Sequence, residues 1–179
     1  MKSDAAIESG ERPISREDRF AALLDEHRGI LRRVARAYGR GDEDRRDLVQ
    51  EMAMQLWRSF DRFDERLRFS TWMFRVALNV AISYLRRESV RAAHLHPGDP
   101  SLLEEAEDRS GSLGDRDLRL LDRFLAALDG LDRALMLLYL DGCSHREISD
   151  VLGITETNVG TKIGRLKERL RRGLSEGQP

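Results

Sequence analysis

Residues 144–172 read SHREISDVLGITETNVGTKIGRLKERLRR. Apolar side chains recur at Ile148, Leu152 and Ile154 around Gly153, then at Val159, Ile163, Leu166 and Leu170. Steps of four, three and four residues put the second set on one face of a helix. Gly153 takes a positive φ at no steric cost, so the two helices meet at a sharp corner. Thr155 offers a side-chain oxygen to cap the second one. The spacing therefore predicts a short helix over 144–152 and a long one over 155–172, together a helix-turn-helix. With the apolar set turned inward, the outer face carries Glu156, Thr157, Asn158, Thr161, Lys162 and Arg165. Such short polar and cationic groups suit base edges and phosphates in a major groove. Gly160 and Gly164 each cost about 1 kcal/mol relative to alanine inside a helix. A close backbone approach is the expected compensation.

Upstream, Ala134–Leu140 is almost wholly apolar and predicts a buried helix ended by Asp141-Gly142. Leu118, Leu121, Leu125 and Leu128 predict another before it, closed by Asp129-Gly130. Residues 89–117 lose the pattern: His94, His96, Pro97, Gly98, Pro100, Gly111 and Gly114 fall among acidic residues, as in a flexible linker. The two histidines have no cysteine beside them, so no metal is expected there. Before the linker, Ser15-Arg-Glu-Asp18 resembles a capping box opening a helix. Phe20, Leu23, Leu24, His27, Ile30, Leu31, Val34 and Tyr38 form its inner face, and Gly39-Arg-Gly41 ends it. A second stripe follows at Leu48, Met52 and Leu56. A third helix begins at Ser70 or Thr71 and buries Trp72, Val76, Val80 and Tyr84. The fold is read as all-α, with two small helical domains at 15–88 and 118–174. A flexible acidic linker at 89–117 joins them, and a disordered N-terminus occupies 1–14.

Charge supports a nucleic-acid reading only when it is mapped along the chain. The total is 31 basic against 32 acidic residues, a formal charge of -1. Residues 57–87 nevertheless hold seven arginines against three acids, and seven of the eleven aromatics. Residues 159–173 hold six basic groups against Glu168, and residues 96–118 hold seven acids against two arginines. Two basic blocks flanking an acidic one fit the footprint of a nucleic-acid binder. Apart from Lys2, Lys162 and Lys167 every basic residue is arginine, a skew that a GC-rich genome produces, and charged helix faces are usually just solvated. The longest uncharged stretch, Val76–Leu85, is half of the ~20 apolar residues a spanning helix needs, so no membrane insertion is expected. The opening MKSDAAIESGERP has no apolar segment behind its lysine and does not read as a secretory signal. Cys143, the single cysteine, fits a reducing, cytoplasmic setting and a small buried residue rather than a redox sensor. His27 and His145 fall on helix faces as packing or surface residues. No phosphate loop, metal-ligand set or nucleophile–base motif is visible. Neither an enzyme, a cofactor nor a small-molecule substrate is expected.

The stretch DLVQEMAMQLWRSFDRFDERLRFSTWMFRVALNVAISYLRR, beginning at Asp47, resembles region 2 of bacterial RNA polymerase sigma factors. The class it resembles is the extracytoplasmic-function (ECF) class of the sigma-70 family. The C-terminal stretch resembles their region 4, and the two occur in family order over about 15–88 and 118–173. The resemblance implies a sigma factor that binds core RNA polymerase and directs transcription initiation at promoter DNA. It implies a polymerase-binding face at Asp47, Gln50, Glu51 and Arg58, which point away from the Leu48–Met52–Leu56 stripe. It implies capture of unstacked minus-ten bases by Phe63, Arg66, Arg68, Phe69, Ser70, Thr71 and Trp72, with Asn79 near the pocket. Stacking of a base on an aromatic ring is worth about 1–3 kcal/mol. Among the aromatics, Trp57, Phe60 and Tyr84 suit the core, whereas Phe63 and Phe69 suit it less. Duplex reading at the minus-thirty-five element falls to Glu156–Arg165, where Gly160-Thr161-Lys162 departs from the family's usual Lys-Ser-Arg. Where relatives often carry proline, Asp129 or Gly130 stands. Family members lacking further regions form the minimal class, and an anti-sigma factor is an implied partner. Two other readings stay open: a stand-alone helix-turn-helix regulator needing no polymerase, and a helical protein-binding adaptor.

Overall fold

A computed structural model describes residues 15–95 and 113–176. Seven α-helices and no strand occur among the described residues: α1 (Arg16–Tyr38), α2 (Asp42–Ser59), α3 (Phe69–Leu95), α4 (Leu113–Ala126), α5 (Gly130–Leu140), α6 (His145–Leu152) and α7 (Glu156–Glu176). A 3-10 turn at Phe60–Arg62 follows α2. Ser15 caps α1 by accepting from the Asp18 amide at 3.0 Å. Gly41, at the start of α2, makes no side-chain cap; Asp42, Glu43 and Asp44 in the first turn face the positive end of the helix dipole instead. Leu48, Met52 and Leu56 are the buried residues of α2, as the stripe predicts.

Two boundaries differ from the expectation. Helix α3 runs to Leu95, and α4 begins at Leu113, so both flanks of the expected linker are helical. Residues 89–95 contain no breaker, so α3 continues past the end of its buried face. Residues 96–112, with His96 and most of the acidic run, lie outside the described residues, as do 1–14. Asp129-Gly130 also does more than close a helix. Asp129 accepts from the Asp132 amide at 2.8 Å and so caps α5, of which Gly130 is the first residue.

Helices α1, α2 and α3 pack on one another, as do α5, α6 and α7. The two groups also meet: α1 packs on α4 and α5, and α3 on α5 and α6. Buried residues from both form one continuous apolar core. The two small helical domains therefore also meet each other across an apolar seam. The physical reason is apolar surface left half-covered within each group. Ile82 and Leu85 of α3 lie against Gly130, 3.6 Å from where its Cβ would stand. Tyr38, at the end of α1, donates to the Gly130 carbonyl at 2.7 Å. Arg133 is the one buried charged residue among those described, 6% exposed. Its guanidinium donates to the carbonyls of Ala37 (3.1 Å), Ala126 (2.6 Å) and Leu128 (2.9 Å).

Candidate nucleic-acid interface

The helix-turn-helix is built from α6, the corner at Gly153 and α7. Ser144 opens α6 with a complete capping box: its Oγ accepts from the Glu147 amide, while its own amide donates to Glu147 Oε2 at 2.9 Å. Gly153 sits at φ 68° and ψ 30°, the left-handed conformation the spacing predicts. The Asn158 amide then bonds Thr155 Oγ1 at 3.3 Å, which starts α7. Val159, Ile163 and Leu166 are buried, and Leu170 is half-buried. Glu156, Thr157, Asn158, Thr161 and Arg165 stand exposed along the opposite face. Lys162 differs. Its ammonium is paired with Asp132 of α5 at 2.6 Å, both side chains being less than a third exposed. Close approach does not explain the helix glycines. A Cβ on Gly160 would meet His145 at 3.5 Å, an ordinary contact, and on Gly164 it would meet nothing within 4 Å.

The second candidate surface surrounds the loop between α2 and α3. Phe60, Phe63, Phe69 and Trp72 form an aromatic box with ring centroids 5.1–6.4 Å apart. His27 of α1 stacks on Phe69 at 5.6 Å. Phe69 and Trp72 are buried, at 6% and 8% exposure, whereas Phe63 is half-buried. Phe69 thus belongs to the core more fully than its place near the loop suggests, because α1 folds over it. Trp57 and Tyr84 are half-buried and Phe60 is buried, in keeping with their core reading. Arg66 and Arg68 are exposed, as is Asn79, while Ser70 and Thr71 are half-buried. Arg66 folds back on Asp64, and its hydrogen bonds hold that carboxyl below the usual range. Arg68 reaches across to Glu147 of α6 at 2.9 Å. An open cleft of about 450 Å³ lies between this loop and α1, floored by Ala22, Leu23, Phe63, Leu67 and Phe69. Arg19 and Glu65 pair at 2.6 Å on its rim, and Arg19 holds the Glu65 carboxyl below the usual range.

On α2, Asp47, Gln50 and Arg58 are exposed and Glu51 accepts from Arg87 at 3.1 Å. Met54, 44% exposed, adds an apolar member to this helix's outer surface. Three residues escaped the sequence reading. Asp132 sets the position of Lys162, Glu147 holds Arg68, and Arg75 donates to the Asp150 carbonyl. Only Glu147 left a trace, as the acidic third residue after Ser144. The other two act across gaps of 30 and 75 residues. The Cys143 thiol is half-buried, and burial, with Glu147 and Asp141 adding to it, pushes its pKa up to about 11. Such a thiol is a poor nucleophile at neutral pH.

Known proteins resemble the chain over the same two segments. The family model for Sigma-70 region 2 matches residues 23–91, and that for Sigma-70 region 4 matches residues 118–170. The RNA polymerase sigma factor CnrH of Cupriavidus metallidurans is 32% identical over 162 residues, 84% of each chain. The ECF RNA polymerase sigma factor SigW of Bacillus subtilis is 25% identical over 177 residues, covering 89% of this chain and 91% of that one. Among solved structures, the sigma factor RpoE in complex with the anti-sigma factor NepR from Bartonella quintana superposes with a TM-score of 0.72. At 20% identity, over 89% of this chain and 99% of that one, it shares the fold. With α1–α3 carrying region 2 and α4–α7 carrying region 4, the chain belongs to the sigma-70 family of RNA polymerase sigma factors, in the extracytoplasmic-function class.

Proposed function

We propose that this chain is a dissociable specificity subunit that binds core RNA polymerase and directs it to promoters in the cytoplasm. The observation that carries the reading is the presence of both surfaces in one chain, in family order: a helix-turn-helix with an exposed polar face, and an arginine-flanked aromatic box. Glu156, Thr157, Asn158, Thr161 and Arg165 read duplex DNA, with Lys162 completing the face while tied to Asp132. Phe63, Arg66, Arg68, Ser70, Thr71 and Asn79 contact the single strand. Phe69 and Trp72 form the wall behind Phe63, since neither ring is open to a base in the closed arrangement. Asp47, Gln50, Glu51 and Arg58 face the polymerase. Strand opening draws on binding energy for unstacked bases rather than on nucleotide hydrolysis. The functional domains keep the sequence limits, 15–88 and 118–174, with the helical flanks at 89–95 and 113–117 assigned to the tether between them. As RpoE is seen with NepR, an anti-sigma factor is the further partner we assign.

The test is transcription by core polymerase from a genomic fragment library with and without the purified chain. The proposal expects a small set of start sites that appear only when the chain is added. Unchanged start sites, together with duplex binding by the chain alone, would favour a stand-alone regulator.

A further inference from the structure

Two of the chain's three lysines lie on α7, and both reach back to α5. The Lys162 ammonium meets Asp132, in the first turn of α5, at 2.6 Å. The Lys167 ammonium donates to the Tyr139 hydroxyl at 3.3 Å, near the end of α5, and lies 5.5 Å from the centre of that ring. The arginines of α7 behave otherwise. Arg171 and Arg172 share Glu168 on their own helix, while Arg165 and Arg169 are exposed, with no partner among the described residues. Asp132 is well placed to hold a cation. Its amide donates to the Asp129 cap at 2.8 Å, and the next residue, Arg133, is fixed by three backbone carbonyls. The pair is also more sheltered than those within α7: Lys162 and Asp132 are 29% and 22% exposed, against 71% and 51% for Arg171 and Glu168.

Resting on the reading of α7 as the duplex-facing helix of a sigma factor, we propose that Asp132 is a positioning residue that withholds the Lys162 charge from DNA phosphates. An ammonium on a four-carbon stem is a mobile point charge with three donors, and left alone it swings to whichever phosphate is near. Pairing with Asp132 removes that freedom. Breaking the pair would also leave a sheltered carboxylate facing a polyanion, so phosphate competes poorly for the ammonium. With this pair neutral in itself, Glu156 and Arg165 cancel as well, and the six reading residues together with Asp132 carry no net charge. Phosphate contacts position a protein on any sequence, whereas contacts to base edges specify one. Asp132 thus limits the sequence-independent share of the affinity and leaves Arg165 and Arg169 as the free cations of α7.

The test uses the full chain and a fluorescent duplex of random sequence, titrated over a salt series, so it needs neither a promoter nor polymerase. Asp132→Asn keeps the shape of the side chain and removes its charge. It should bind more tightly than the unmodified chain and steepen the fall of log affinity with log salt by about 0.9. Its advantage should accordingly be about threefold greater at 50 mM salt than at 200 mM. Asp132→Glu restores the carboxylate and should return the slope to that of the unmodified chain. Asp132→Asn combined with Lys162→Met should lose the gain. A merely structural role for Asp132 would lower the thermal midpoint without steepening the slope. An unchanged slope for Asp132→Asn, no duplex binding by it at the lowest salt, or the same gain in the Lys162→Met background overturns the proposal. The sigma reading is decided separately, by the start sites that core polymerase gains from the unmodified chain. Their absence beside a steepened Asp132→Asn slope sinks that reading and spares the role of Asp132.

Discussion

Lys162 and Arg165 stand three residues apart on α7, yet the structure gives them different electrostatic circumstances. Lys162 is already neutralised by Asp132 at 2.6 Å, whereas Arg165 is exposed. Each phosphate contact steepens the fall of log affinity with log salt by about 0.9. Arg165→Ala should therefore weaken duplex promoter binding and reduce that slope by about 1. Lys162→Ala should change the slope by less than Arg165→Ala and shift the thermal midpoint downward. Binding titrations of the holoenzyme across a salt series, beside a melt of the chain, separate the two effects. Cys143 gives a second residue-scale expectation. Its thiol pKa is raised to about 11, chiefly by burial. The raised value means the fold favours the neutral thiol. That stabilisation is complete below the ordinary thiol range and is lost as pH climbs through about 11. Iodoacetamide should accordingly alkylate the native chain far more slowly than the unfolded chain at pH 8, with the native rate rising toward pH 11. Comparable rates at pH 8 would contradict the burial argument. The sequence reading of Cys143 as a small buried residue rested on its place in the tight segment before the helix-turn-helix, and the structure leaves it half-buried. Its raised pKa needed the fold, because Glu147 and Asp141 come near it only there.

At the scale of the element, the helix-turn-helix depends on two local devices, the capping box at Ser144 and the corner at Gly153, of which the sequence reading named the second. Helix α6 has only eight residues, too few to be stable by propensity, so its capping box carries a large share of its order. Ser144→Ala should cost about 1 kcal/mol in chemical denaturation, while Ser144→Asp retains a cap and should recover most of it. Gly153 holds the corner at φ 68°. Gly153→Ala should destabilise by about 1–2 kcal/mol, because a Cβ is disfavoured in the left-handed region. Gly164→Ala should do the opposite, stabilising by about 1 kcal/mol, since the site is helical, exposed and open. Denaturant midpoints for the two alanine variants should therefore move in opposite directions. These features involve residues within four positions of one another, which is why periodicity and residue type suffice to find them. The ends of α3 and α4 were less legible. A loss of apolar periodicity marks the end of a buried face, and a helix continues past it when no breaker intervenes.

At the scale of the whole molecule, Arg133 is the residue on which the arrangement turns. Truncation to alanine would strand the carbonyls of Ala37, Ala126 and Leu128 and should cost about 2–4 kcal/mol. Arg133→Lys, with a single ammonium in place of the fork, should recover only part of that loss. Equilibrium denaturation of the full chain measures both. Nothing in the segment Leu131-Asp-Arg-Ala-Leu135 announces a buried cation, since an arginine between helix-forming residues looks like a solvated one. Its burial requires α1 and the α4–α5 corner to arrive from 96 and 7 residues away. The aromatic box divides in the same way: its composition and flanking arginines were readable, but which rings are covered depended on α1 folding over Phe69. The sequence by itself determined seven helices in outline, the caps at Ser15 and Thr155, the corner at Gly153, the two basic blocks and the family. Those follow from interactions within one or two helical turns and from patterns of residue type. Only the tertiary structure decided that the two helical groups share a core, that Lys162 is tethered, and that Arg68 answers to Glu147. Each depends on half-covered apolar faces and paired charges brought together across 30 to 96 residues of chain, distances over which no local periodicity carries information.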